Sequence, residues 1–508
     1  MNFQVTGKIT NLSTLAKSWD IKSNKVPSLP LSFKTSFDGD LEKANLRKTT
    51  LTIGKSDFSL TTQGTLQKLK QDPKIELTTN LSLINGPLSK LWGIKPVGIN
   101  TKIVADKKTI KASDLQVDAG KSDMNGELSI HLFDKPIFIE GKLSSTYFDV
   151  YDIIDSSTKP PSSQKVKPSK KNFLSTDKLP FDLLKELNLN IQLNVANLKF
   201  SNEISEYAGV DTNIVIRNKE LKMPTQIRIF GGKIQNQLVV NADKKSVNVE
   251  TKANSIQSNK IKQLSKYLQN SSLNLALSLK GSGESLHDLA GSAQGNLTAE
   301  LTEGQIVNKW FNTLPTTLKL LKGKTNSLMF STQDQKTELI CGALNIPIKD
   351  GVAVSQDKIA LETDTLNFII NGKIDLKNET VDLTMLPSVS QTRGMANELL
   401  NVAQSVSLTG PWSAIETKVN VGDAVGNLAQ TAIQKLAGKE TSKQTTQAVN
   451  LCQKVLGRTL TQTKTTKVQQ KVESKPTNTQ TKTQPNLKQQ LIQSLSQALT
   501  DQVASEKK

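Results

Sequence analysis

The sequence predicts a mainly β protein, extended and antiparallel, with a few short helices and a disordered C-terminal tail. Three observations predict it. Apolar and polar residues alternate at period two in several stretches, and a glycine-marked strand unit recurs. Aromatic residues are only 4% of a chain whose mean hydropathy is −0.36, which points to a long, shallow core instead of a compact globule. At 508 residues the length allows roughly three domains, or fewer if the architecture is all-β.

Alternation is clearest at Leu187, Leu189, Ile191, Leu193 and Val195, interleaved with Asn188, Asn190, Gln192 and Asn194. Five apolar positions then share one face of an extended strand, which is the pattern of a half-buried strand. The same pattern returns at Leu273, Leu275, Leu277 and Leu279, at Leu366, Phe368 and Ile370, and at Val381, Leu383 and Met385. Polar partners on the other face are mostly Asn, Ser, Thr and Lys, as in antiparallel sheets with one wet side.

Two echoes suggest one β-unit reused along the chain. Gly54-Lys55-Ser56-Asp57 returns as Gly120-Lys121-Ser122-Asp123, each copy followed by a further glycine, Gly64 or Gly126. An apolar-x-Gly-Lys-apolar unit occurs at Val5 to Ile9, Ile139 to Leu143, Phe230 to Ile234 and Ile370 to Ile374. A glycine at a fixed place in a strand marks a bulge, a bend or a close backbone approach.

Composition divides the chain. Residues 1–155 form a degenerate β-repeat region, and 156–178, rich in Pro, Ser and Lys, reads as a solvated linker. A second β domain spans 179–438. From 439 to 508 the sequence turns to Gln, Thr and Lys and reads as a disordered tail, with an amphipathic helix over 487–503 where Leu487, Leu491, Leu495, Leu499 and Val503 step by four. Short helices are also expected at Met395 to Val406 and Ala424 to Leu436. Truncation after Leu436 is expected to leave stability nearly unchanged.

Charge and special residues exclude more than they assign. There are 65 basic and 46 acidic residues, a formal net charge of +19, yet only Arg47, Arg217, Arg228, Arg393 and Arg458 are arginine. Nucleic-acid readout relies on arginine forks and stacking aromatics, both scarce here, so no nucleic-acid partner is expected; lysine excess suits a solvated surface or anionic headgroups. Cys341 and Cys452 show no ligand spacing and set no disulfide framework, and His131 and His287 are too few for a histidine metal site, so neither metal nor cofactor is expected. No nucleophile elbow, phosphate loop or zinc-protease motif occurs, and Gly281-Ser282-Gly283-Glu284-Ser285 reads as a strand-ending turn. The expectation is a protein with no catalytic residues, not an enzyme. No apolar window is long enough for a spanning helix, and Met1 to Lys17 lacks a secretory leader. Since Phe3 and Val5 already read as strand, an upstream segment is expected to be missing.

From Leu179 onward the sequence resembles the C-terminal region of the AsmA family. The residues that carry the resemblance are, in order, Leu179-Pro180-Phe181-Asp182-Leu183-Leu184, Ile229-Phe230-Gly231-Gly232-Lys233-Ile234, and Lys280-Gly281-Ser282-Gly283-Glu284-Ser285 leading to Leu289-Ala290-Gly291-Ser292 and Gly295-Asn296-Leu297. Gly304-Gln305-Ile306, Gly372-Lys373-Ile374-Asp375-Leu376 and Leu408-Thr409-Gly410-Pro411-Trp412 follow. The repeats of residues 1–150 resemble the preceding part of that family. What the resemblance implies is a repeating β-groove, or β-taco, of the TamB- and YhdP-like kind: a curled antiparallel sheet of the Gram-negative envelope. It implies lipid transport and outer-membrane assembly from the periplasm, beside the inner membrane.

An open sheet with one apolar face must bury that face against something. With few aromatics to fill a core, a curled sheet leaves its aliphatic lining to acyl chains. The lipid-groove candidates are Leu187, Leu189, Ile191, Leu193, Val195, Leu273, Leu275, Leu277, Leu279, Leu366, Phe368 and Ile370. The expected partner is phospholipid or another envelope lipid, with inner- or outer-membrane assembly proteins beside it. The alternative is a periplasmic scaffold or assembly factor that works through protein partners and has a filled β-sandwich core.

Overall fold

In the computed structural model the described residues are 2–153, 173–307, 336–389, 405–420 and 451–458, less 15–25, 27, 41, 69, 85, 93, 202, 203, 205 and 365. The expected helices over Ala424–Leu436 and 487–503 lie outside them, as does most of the one expected at Met395–Val406, whose last two residues belong to a strand.

The first strands are β1 (Asn2–Ile9), β2 (Leu31–Gly39), β3 (Lys43–Ile53), β4 (Phe58–Gln67), β5 (Lys74–Leu83), β6 (Val97–Ala105), β7 (Thr109–Ala119), β8 (Ser122–His131) and β9 (Ile137–Ser145). They pair in sequence order as an antiparallel meander. Next come β10 (Phe148–Asp149), β11 (Leu187–Lys199), β12 (Ala208–Arg217), β13 (Glu220–Ile229), β14 (Gly232–Asn241), β15 (Ser246–Gln257), β16 (Leu268–Gln269), β17 (Ser272–Ser282), β18 (Gln294–Leu301) and β19 (Gly304–Val307). The set ends with β20 (Lys336–Lys349), β21 (Val352–Ser355), β22 (Ile359–Thr363), β23 (Leu366–Asp375), β24 (Thr380–Val389), β25 (Ser405–Pro411) and β26 (Glu416–Asn420). All belong to one 26-stranded sheet.

Among the described residues the sheet departs from a purely antiparallel one at a single joint. There β11 runs parallel to β9, from Leu187 opposite Ile137 to Val195 opposite Ser145, and β10 pairs with the end of β11 in the same sense. A parallel pair needs a long crossover, and the connection from β10 to β11 is long enough to make one. Side chains fasten the joint: Lys199 Nζ reaches Asp149 at 2.8 Å, Tyr147 meets Tyr207 edge-on, and Arg217 lies over Phe138. Burial disfavours the Asp149 charge, but Lys199 and the Tyr151 N–H hold its carboxyl below the ordinary carboxylate range.

The echoed motifs sit at equivalent places. Gly54 and Gly120 occupy the β3–β4 and β7–β8 turns at φ of +70° and +62°, and Gly64 and Gly126 lie within β4 and β8 at +155° and +154°. Those last two face backbone oxygens of the next strand, at Glu76 and Lys142, so closely that only glycine fits.

Buried clusters are small and separate, as a shallow core predicts. Ile53 and Leu83 pack under Leu88 of the short helix Pro87–Trp92, while Ala293, Ile346, Ile348 and Ala353 form another cluster between β18 and β21.

Three expectations are corrected. Cys341 and Cys452 do form a framework, a disulfide across 111 residues of sequence. No local spacing signals it, because the partners meet only through the fold. Second, the helix Leu451–Val455, inside the segment read as a tail, docks on β20 and β22 around that bond. Third, the end of the segment read as a linker is tied to the sheet. The Phe173 and Leu174 N–H groups donate to the Glu379 carboxylate, and Phe173 meets Trp412 edge-on. Lys178 also pairs with Glu284, whose carboxyl Lys245 and Lys178 together hold at about 2.

Candidate functional site

Alternation along β11 and β17 sorts their side chains onto two faces. Ile191 and Val195 are buried, Leu187, Leu189 and Leu193 are half-buried, and Gln192 and Asn194 on the reverse face are exposed. On β17 all four leucines are half-buried, while Ala276, Ser278 and Lys280 are exposed. Phe368 and Ile370 of β23 are half-buried as well; Leu366 belongs to the same strand, opposite Val389.

Register connects these three strands on one face. Leu279 lies opposite Gly295, Gly295 opposite Ile348, Ile348 opposite Ala353, and Ala353 opposite Ile374. Leu273 reaches Phe368 in the same way through Leu301, Gly342 and Leu361. On the other side, Leu189 and Leu193 face Ile139 and Leu143 of β9 across the parallel joint. The apolar face therefore crosses the joint without a break, and the described strands that carry it all belong to one sheet.

Sequence reasoning missed a polar track within this face. Thr35, Thr49, Thr62, Thr79 and Thr101 stand opposite one another on five successive strands, and the Thr35–Thr49 and Thr62–Thr79 hydroxyls share hydrogen bonds of 2.6 and 3.1 Å. Beyond the joint the file resumes as Thr212, Thr225, Asn236 and Thr251, between Leu193 and Leu277. The signal was present as threonines at apolar parity in mid-strand, flanked for example by Leu77 and Leu81 around Thr79.

A cavity of about 760 Å³ opens between β9 and β15, lined by many polar residues, among them Gln192, Asn194, Asp211, Asn213 and Lys252. Arg228 bonds Asp211 at 2.5 Å and, with Asn194, holds that carboxyl below its ordinary range despite burial. Leu143, Leu193 and Pro224 line it as well, so the cavity presents apolar surface beside its polar groups.

The histidines sit apart from both features. His131 pairs with Glu140 at 3.1 Å and stacks on Phe138, and His287 lies beside Asp288 in the short helix Leu286–Gly291. Gly281–Ser285 ends β17, Gly283 turning the chain at φ +156° before the Ser285 cap of that helix. Cys341, Glu362 and Cys452 have potential ligand atoms within 4.8 Å of one another, but the two sulfurs are bonded to each other, so the group is a disulfide beside a carboxyl. Comparison of the chain with protein-family models, with curated proteins and with solved structures finds no match.

Proposed function

We propose that this chain is a non-enzymatic envelope protein that binds or conducts phospholipid, or another envelope lipid, along the apolar face of its sheet. The observation that carries the reading is that face itself: half-buried aliphatic side chains in register across β11, β17 and β23, in a single sheet. Aliphatic side chains left partly in water gain by covering with hydrocarbon, at roughly 25 cal/mol for each Å² removed from water. In the alternative, a scaffold with a filled β-sandwich core, the same side chains would pack on one another and take up no lipid.

Support for the setting comes from two sides. The resemblance to the AsmA family implies the periplasm, the inner membrane and outer-membrane assembly, with assembly proteins as further partners and no nucleic acid. A disulfide suits an oxidising compartment, where such bonds persist.

The test is lipid extraction from the purified chain, followed by mass spectrometry. About one or more phospholipids per chain is the expected result. Lipid-free protein that takes up none from vesicles would remove the reading and favour a scaffold.

A further inference from the structure

The helix Leu451–Val455 has five residues, far below the length at which a helix holds itself in water. It is held by what it touches. Leu451, Cys452 and Val455 are buried against Cys341, Ala343 and Ala360, on the face of β20 and β22 opposite the aliphatic one. Ala343 and Ala360 stand opposite each other and form a seat of methyl groups that a helix can approach closely. Polar contacts ring the seat. The Leu451 N–H donates to Glu362 Oε2 at 3.2 Å, Asn345 Nδ2 donates to the Val455 carbonyl at 3.3 Å, and Arg458 pairs with Glu300 at 3.0 Å.

We propose that Cys341–Cys452 is a thiol–disulfide exchange site that latches this helix onto the sheet, and that reduction of the bond releases the helix. Both cysteines are nearly buried, Cys341 at 6% and Cys452 at 2% exposure, so an attacking thiolate reaches a sulfur only through a local opening of the chain around the still-bonded pair, and full release of the helix follows cleavage. In the reducing direction a dithiol supplies two electrons and two protons: its thiolate attacks one sulfur, the other leaves as a thiol, and the dithiol closes to its own disulfide. Oxidation by a disulfide donor is the reverse, with the two cysteine protons and electrons passing to the donor. The exchange partner is therefore a dithiol or disulfide oxidoreductase by chemical class. Once the bond is cut, 111 residues of sequence separate the helix from its seat, and the small contact area must hold it unaided.

The experiment is hydrogen–deuterium exchange on the full chain, before and after dithiothreitol, with alkylation and mass spectrometry to count thiols. The oxidised chain is expected to protect the amides of Leu451–Arg458. Reduction should speed their exchange at least tenfold, while Ile346 and Ile348 keep their protection. Cys452→Ser should reproduce the reduced pattern without reductant, and reoxidation of the wild-type chain should restore protection, so the test stands even if the variant folds poorly. Unchanged protection in the fully reduced chain would overturn the latch. So would a purified chain whose cysteines are free thiols and stay so with a disulfide donor.

Discussion

Gly295 lies opposite Leu279 with a φ of +155°, and a Cβ added to it would sit 1.8 Å from the Ser278 carbonyl oxygen. Neither the dihedral nor the clash can be relieved without moving β17 from β18. Gly295→Ala is therefore expected to cost at least about 1–3 kcal/mol, the range for a residue forced into a sparsely populated region. Gly98→Ala is the control, because its added Cβ meets nothing closer than the Asp118 oxygen at 4.0 Å. Thermal melts of the two variants decide it; equal losses would contradict the geometry.

Thr62 and Thr79 make a second test, of the polar track. Replacing Thr79, only 9% exposed, by Val leaves the Thr62 hydroxyl without this partner and should cost about 1 kcal/mol. Thr62→Val should cost a similar amount, and the double variant less than the sum. A double-mutant cycle by chemical denaturation reads the coupling, and strict additivity would mean that the hydroxyls do not interact.

Removing the docked helix is expected to destabilise the chain, contrary to what composition suggests. Truncation after Leu436 deletes Leu451–Val455 and the disulfide together and uncovers Ala343 and Ala360. A loss of about 2–4 kcal/mol is expected, the usual worth of a native disulfide. Calorimetry of the truncated chain measures it, and an unchanged transition would show that the helix contributes nothing.

Glu362 gives a pH dependence with a definite sign. Burial raises its carboxyl above the ordinary value, with the Leu451 N–H only partly opposing it. A raised folded pKa means that ionisation works against folding, so stability falls as pH climbs through the window between the unfolded and the folded value. Glu362→Gln should therefore raise the melting temperature relative to wild type at pH 7 and lose that advantage at pH 4. An advantage confined to pH 4 would reverse the assignment.

Charge on the apolar face separates its deep from its open positions. Ile191 is 7% exposed and Leu277 half-buried. Ile191→Asp should cost several kcal/mol by desolvation, while Leu277→Asp should fold and bind less lipid. Circular dichroism melts and lipid counts together test this, and equal destabilisation by both would show that Leu277 is sealed in a core.

Much of the sheet was legible because period two is a local property. Leu187 to Val195 and Leu273 to Leu279 reveal their faces without knowledge of any neighbour, and both runs prove to be strands with those faces. Partner choice is not local, which is why the parallel seating of Leu187 on Ile137 and the bond between Cys341 and Cys452 could not be read. Thr79 was hidden differently. A threonine at apolar parity reads as an interruption in one strand, and becomes a track only when Thr62 and Thr101 fall beside it. Leu451–Val455 was lost in a polar composition because one disulfide and two small alanines do the work that a longer apolar stripe would otherwise do.

Leu277 and Ala276 are neighbours in sequence that point to opposite faces of β17, half-buried and exposed respectively. A photoreactive side chain placed at either position, illuminated with phospholipid vesicles or in cells, tests directly whether lipid occupies the apolar face. The account predicts lipid adducts at position 277 and none above background at 276. Equal labelling at both positions, or no lipid adduct at 277 in folded protein, would contradict it.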